Sequence, residues 1–184
     1  PVVKRRKVGI TAAEQREILR YLQGSTRREW IGAATIGWHT GLRLVDVCML
    51  RWENVNFETR LIDMTPRKTA RLGKQVTIPM DDEFCEFMVR ARKEYDSEFV
   101  NPYLAGRYDS RRTSNDFSLI AQRAGVDKTF HCYRHGFVSR LINAGVHPLI
   151  IISMTGQSLK QMAEYATISP AAQRDALEKA KAMP

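Results

Sequence analysis

The stretch RLIDMTPRKTARLGKQVTIPM, residues 60–80, decides the fold class. Its two ends, RLIDMTP at 60–66 and QVTIPM at 75–80, are short β-prone runs in a chain whose apolar residues otherwise repeat with a helical period. Between them RKTARLGK, residues 67–74, brings Arg67, Lys68, Arg71 and Lys74 into one short connection. The pattern reads as a β-hairpin with a cationic loop. Upstream, ITAAEQREILRYLQG places Thr11 as an N-cap with Glu14 three residues later, then Ile18, Leu19 and Leu22 at helical spacing, and stops at Gly24. REWIGAATIGWHTG is apolar on most sides and reads as a buried helix, and LRLVDVCMLRW resumes helical periodicity beyond Gly41. Downstream, Asp81 and Asp82 suit the start of a helix whose apolar stripe is Phe84, Phe87 and Met88. NPYLAGRYDSRRTS, residues 101–114, reads as a turn-rich loop, and further helices are expected at 114–124, 133–144, 147–154, 158–166 and 171–182. Trp52, Phe57 and Phe137 read as core. The expectation is a mainly α domain with one small antiparallel β-sheet, an α+β fold.

Composition narrows what such a domain does. At 184 residues with 43% hydrophobic content, the chain has enough material for one well-buried domain, and it shows no repeat or low-complexity linker. No apolar run approaches the roughly 20 residues that span a bilayer. The basic start PVVKRRKVGITAAEQ has no apolar core behind it, unlike a secretory signal, so a soluble, cytoplasmic protein is expected. Cys48, Cys85 and Cys132 are odd in number and widely spaced, and read as buried thiols in a reducing compartment. Twenty-nine Lys and Arg against 20 Asp and Glu give a net charge of +9, which favours a polyanionic partner, nucleic acid first; a basic surface kept for solubility is the plainer reading.

FHCYRHGF, residues 130–137, holds two of the four histidines. His131 and Arg134 are three apart and share a helix face, where an imidazole and a guanidinium can address one anion, whereas His135 is expected to point elsewhere. A metal site would want two histidines on one face with Asp, Glu or Cys near, so no metal is expected. Taken alone, the pair reads first as a satisfied helix-terminal histidine beside a surface arginine. His39 reads as a helix-end residue and His147 as a turn residue.

Five segments in order change that balance: TGLRLVDVCMLRWENV, RKTARLGKQVTIP, HCYRH, TGQS and EYAT. Together they resemble the tyrosine recombinases, the phage integrase family, from about Thr11 to Thr167, over the catalytic domain only. The resemblance implies an enzyme that cuts and rejoins double-stranded DNA through a 3′-phosphotyrosyl link, with no metal and no nucleotide cofactor, with Tyr165 as nucleophile and His131 as its acid/base partner. Arg43 and Arg134 then stabilise the charge on the phosphate oxygens, since guanidinium groups donate in a planar fork; Asp46, three residues from Arg43, would orient it. Lys68 is implied as the general acid, with Lys74 as its rival. Arg67, Arg71, Lys74 and the leading Lys4, Arg5, Arg6 and Lys7 would contact the backbone of DNA. The family further implies a bacterial or phage-encoded mobile element and a tetramer on two DNA sites. On this reading residues 1–10 are a basic lead-in, 11–184 the catalytic domain, and the N-terminal core-binding domain is absent. The C-terminal SPAAQRDALEKAKAMP would dock on a neighbouring protomer, or form a loosely packed terminal helix.

Two departures qualify the match. The family's usual histidine in G-H-S is Gln157 here, a hydrogen-bond donor that cannot carry charge. Tyr165 also lies one residue closer to Gly156 than is usual, which turns a helical side chain by roughly 100° unless the connection absorbs it. These motivate a rival, a DNA-binding relative that does not cut; a type IB topoisomerase is a second.

Overall fold

A computed structural model describes residues 8–165 and 169–181. Ten α-helices are present among them: α1 (Ala12–Gln23), α2 (Trp30–Thr40), α3 (Leu44–Cys48), α4 (Asp82–Glu94), α5 (Pro102–Ala105), α6 (Ser110–Arg123), α7 (His131–Asn143), α8 (Pro148–Thr155), α9 (Leu159–Tyr165) and α10 (Pro170–Lys181). Between α3 and α4 lies a sheet of β1 (Val55–Asn56), β2 (Leu61–Met64) and β3 (Val76–Pro79), antiparallel in that order. The fold is the expected one, helical with a small antiparallel sheet.

The hairpin registers Ile62 opposite Ile78 and Met64 opposite Val76, and β1 adds Val55 opposite Ile62. All five side chains are buried, while Asp63 and Thr77 point to solvent. Strand alternation thus puts one face on the core and leaves the other wet. The cationic connection is not open loop: Arg67–Leu72 winds into 3₁₀ turns that end at Gly73 in the left-handed conformation, φ 61°. β1 carries no readable period because it is two residues long.

The capping box of α1 forms as expected, with Thr11 Oγ1 accepting the Glu14 N–H at 3.2 Å and Glu14 Oε2 accepting the Thr11 N–H at 2.8 Å. α2 is the buried helix at the centre, with Trp30, Ala33, Ala34, Ile36, Gly37 and Thr40 all inside. Gly37 admits the rings of Phe130 and Tyr133; a β-carbon there would sit 2.8 Å from Phe130 Cζ. Trp30, Phe117, Phe130 and Tyr133 pack with centroids 5.0–5.7 Å apart, in the range that favours aromatic pairing. Arg140 of α7 lies 3.5 Å over the Trp38 ring and donates to the Trp38 carbonyl at 2.5 Å, pinning α7 to α2; burial lowers its pKa to about 10.

Three expectations are corrected. α6 starts at Ser110, not 114, because Asp109 caps it by accepting the Arg112 N–H at 2.7 Å, and Thr113, Phe117, Ile120 and Ala121 form its buried stripe. The helical run after Gly41 stops at Cys48, since Arg51 pairs in an isolated bridge with Phe99. Cys48 and Cys132 are buried, burial pushing the Cys48 thiol up to about 12, but Cys85 is only half-buried. Trp52 and Phe137 are core, with Phe57 packed at its edge. His39 lies at the end of α2, and His147 caps α8 by accepting the Leu149 N–H. No helix is long and apolar enough to cross a membrane among the described residues.

Candidate active site

Two helices end in the same way. Thr40 closes α2 with its hydroxyl donating to the Ile36 carbonyl at 2.6 Å, and Thr155 closes α8 with its hydroxyl donating to the Ile151 carbonyl at 2.6 Å. Each is followed by a left-handed glycine, Gly41 at φ 60° and Gly156 at φ 65°, the conformation in which glycine avoids the usual Cβ penalty. The chain leaving the first turn delivers Arg43; the chain leaving the second delivers Gln157. Packing reserves the second turn closely, since a β-carbon on Gly156 would sit 3.1 Å from Val76 Cγ1 of the hairpin.

Arg134 joins the two turns. From the second turn of α7 its Nη1 donates to the Gly41 carbonyl at 3.1 Å and its Nη2 to the Thr155 carbonyl at 2.6 Å. With only 2% of its surface exposed it is no surface arginine. Hydrogen bonds from a charged donor contribute about 1.5–3 kcal/mol each, so this guanidinium both fixes the turns and carries a buried positive charge to their junction.

Asp46, fully buried on α3, is the counterweight. Its Oδ1 accepts the backbone N–H of Arg67 at 2.9 Å, which docks the start of the cationic connection; its Oδ2 lies 4.0 Å from Nη1 of the partly buried Arg43. The charges of Arg43, Arg134 and Arg67 all act on this one carboxylate. Neither Arg43 Nη1 nor Asp46 Oδ2 has a hydrogen-bond partner, although both are buried. Gln157 is buried beside its turn with Oε1 likewise unpartnered. Of these three atoms only the Arg43 nitrogen is a donor, so it is the one suited to an anionic oxygen.

His131 opens α7 half-buried, one helical turn before Arg134. The expectation that His135 points away is corrected: the two imidazoles are four residues apart and their rings meet edge-on at 5.0 Å, because residues i and i+4 stack on one helix face. Lys68, Arg67, Arg71 and Lys74 are all exposed on the connection that Asp46 anchors. Tyr165 is the last residue of α9, which begins three residues after Gly156; its side chain lies outside the described residues, as do Lys4, Arg5, Arg6, Lys7 and Thr167. No group of three or more His, Cys, Asp or Glu suited to a metal ion occurs among the described residues.

The grip of Asp46 on Arg67, 21 residues away, and the bonds of Arg134 to Gly41 and Thr155 are not visible in any local pattern. The signal that could have found the second is the repeated Thr-Gly, in HTGLR and MTGQS.

Asp46 also supplies a pH test. Burial raises its carboxyl above the usual value, against the opposing pull of the Arg67 N–H and of Arg43, Arg134 and Arg67. A carboxyl with a raised folded-state pKa stabilises fully below its unfolded value, and that contribution is lost as pH rises through the folded value. Asp46→Asn keeps an acceptor for the Arg67 amide without the buried charge. Its Tm at pH 7 is therefore expected to equal or exceed that of the parent, with the advantage shrinking as pH falls through the titration of Asp46. Thermal melts of both proteins between about pH 4 and 7 check this; a clearly lower Tm for the variant at pH 7 contradicts it.

The phage integrase family matches residues 10–170. Among relatives, the tyrosine recombinase XerA of Thermococcus kodakarensis is 27% identical over 178 residues, covering 94% of this chain and 62% of that protein. Among solved structures, the Tn1549 transposon integrase in complex with transposon right end DNA superposes with a TM-score of 0.78 at 20% identity, covering 97% of this chain and 67% of that one. A lambda integrase tetramer bound to a Holliday junction gives 0.68 at 18% identity, covering 88% and 48%. The architecture is that of a tyrosine recombinase catalytic domain. This chain belongs to the phage integrase family, and it spans about three fifths of the length of the XerA relative it matches.

Proposed function

We propose that residues 11–184 form a catalytic domain that cleaves and rejoins double-stranded DNA, with residues 1–10 as a basic lead-in. The observation that carries this reading is the convergence of Arg43, Arg134 and Arg67 on the single carboxylate of Asp46, with a buried guanidinium nitrogen of Arg43 left without an acceptor. Three positive charges against one negative leave net positive charge, which suits a phosphodiester. In this reading the Tyr165 phenol oxygen attacks phosphorus in line, forms a 3′-phosphotyrosyl ester and expels the 5′ oxygen. The bond is conserved, so rejoining needs no external energy source. Arg43 and Arg134 stabilise charge on the nonbridging oxygens, Gln157 donates to one of them, and His131 moves the proton of the phenol. Lys4, Arg5, Arg6, Lys7, Arg67, Arg71 and Lys74 hold the DNA backbone. The lambda integrase tetramer supports a reading in which protomers act together on paired sites.

Lys68 protonates the departing 5′ oxygen. Removing a general acid slows a reaction by roughly 10²–10⁴, and Lys68→Ala is expected to show a loss of that order on ordinary DNA. A substrate with sulfur at the 5′ bridging position leaves as a thiolate, whose conjugate acid has a pKa of about 8.5, and needs no such proton. Lys68→Ala is therefore expected to cleave the sulfur substrate within about tenfold of the parent, and Lys74→Ala to show neither the defect nor the rescue. The opposite assignment of the two lysines would move the acid to Lys74.

The reading as a whole is tested by incubating the protein with nicked duplex DNA in a metal chelator, denaturing, and looking for a covalent protein–DNA adduct. DNA binding without an adduct would favour a relative that holds DNA without cutting it.

A further inference from the structure

The chain enters the domain by crossing the helix that carries the site. Val8–Ile10 runs over α7, where the Ile10 N–H donates to the Cys132 carbonyl at 3.0 Å. The crossing is glycine on glycine: a β-carbon on Gly136 would lie 2.7 Å from the Ile10 oxygen, and one on Gly9 would collide with the Gly136 backbone. Lys128 clamps the segment from the side, its Nζ donating to the carbonyls of Val8 at 3.1 Å and Gly9 at 3.4 Å, with Glu14 3.8 Å away. Ile10 is buried in the core, so this backbone is held on both sides of the crossing.

Helical geometry gives the crossing its meaning. Cys132 and Gly136 are four residues apart and share one face, whereas Arg134 lies two residues from each and so roughly 160–200° around the helix. The entering backbone therefore presses on the back of α7 directly opposite the guanidinium that reaches Gly41 and Thr155. We propose that Val8–Ile10 is a positioning strap for Arg134 and His131, and that Gly9, Gly136 and Lys128 are positioning residues; this rests on the strand-cleavage reading above. With the strap seated, the first turns of α7 cannot back away from the two Thr-Gly turns. Lifted, they can, and displacement of about 1 Å at a reacting centre is enough to slow chemistry by roughly 10².

The test measures adduct formation on nicked duplex DNA in a single turnover, alongside affinity for the same DNA, for the parent, Gly136→Ala, Gly9→Ala, their double variant and Lys128→Met. Gly136→Ala and Gly9→Ala are each expected to slow adduct formation about tenfold or more with affinity within about twofold. Alanine is the better helix former at 136, so loss of helix cannot produce that split. The double variant should be no slower than the slower single one, because both substitutions part the same crossing. Lys128→Met, which adds no atoms at the crossing, should slow the reaction a few fold. Parent-like rates in both glycine variants overturn the proposal. If the parent itself forms no adduct, the cleavage reading fails, and amide hydrogen exchange of the same proteins decides the strap. Faster exchange in the first turns of α7 and at Gly156 in the glycine variants supports it; faster exchange confined to residues 8–12 overturns it.

Discussion

Tyr165→Phe is expected to bind DNA within about twofold of the parent affinity and to form no covalent adduct, a loss of at least roughly 10⁴ in strand cleavage. Phenylalanine keeps the ring and removes the one atom that would bond to phosphorus, so binding persists while the reaction has no nucleophile. Of the other five tyrosines, Tyr133, Tyr95 and Tyr103 are set apart by their surroundings. Tyr133 is buried, its phenol donates to Gln15 Oε1 at 2.6 Å, and burial raises it far above the ordinary tyrosine value. Tyr95 and Tyr103 line a cavity of about 570 Å³ with Arg28, Gly32 and Glu94, and none of Arg43, Arg134 or Gln157 faces it. Gel separation of denatured adducts from free protein, next to an affinity measurement on the same duplex, reads both halves of the expectation. Cleavage retained by the variant would place the nucleophile elsewhere.

The second large effect falls on Arg134. Arg134→Ala is expected to lower cleavage by about 10³ or more, since removing one preorganised donor to a developing oxyanion already costs roughly 10²–10³. Unlike Tyr165→Phe it should also destabilise the fold. The carbonyls of Gly41 and Thr155 lose their donor while buried, at about 1–3 kcal/mol each, which for a chain of this size is a drop in Tm of very roughly 4–20 °C. Arg134→Lys retains charge but not the fork that spans the two carbonyls, and is expected to recover part of the stability with cleavage still down about 10². Single-turnover rates measured well below the lowest Tm separate the two effects. A lysine variant with parent-like cleavage would show that charge alone suffices and that the bridging geometry is incidental.

How much of this was legible in the sequence depended on the range of the interactions. The hairpin at 60–66 and 75–80 and the Thr11–Glu14 cap are local, and their period and spacing show them directly. The start of α6 was not, because Ser110, Arg111 and Arg112 are polar and the burial that makes the segment helical comes from Thr113 onward. β1 exists only as the partner of Ile62 and Leu61. At the site, residue types at motif spacing pointed to Arg43, His131 and Arg134. What holds them together is long-range. Asp46 does pair with Arg43, at 4.0 Å as the three-residue spacing suggests, but its hydrogen bond goes to the Arg67 amide, which no local spacing shows. The three-residue spacing from His131 says nothing of the carbonyls of Gly41 and Thr155, 114 residues apart in sequence, that Arg134 ties together; only the folded chain shows that. The three-residue step from His131 to Arg134 hides the four-residue step to His135, which brings the two imidazoles together.

Breakage of DNA through the phenol of Tyr165 would be written into the chemistry of the trapped adduct itself. Protein incubated with end-labelled nicked duplex in a chelator is denatured, digested with protease, and the nucleotide-bearing peptide identified by mass spectrometry. The expected result is one peptide, with Tyr165 esterified to a 3′ phosphate and a free 5′ hydroxyl on the other strand end. Attachment through another residue, linkage to the 5′ phosphate, or tight DNA binding with no adduct would contradict it.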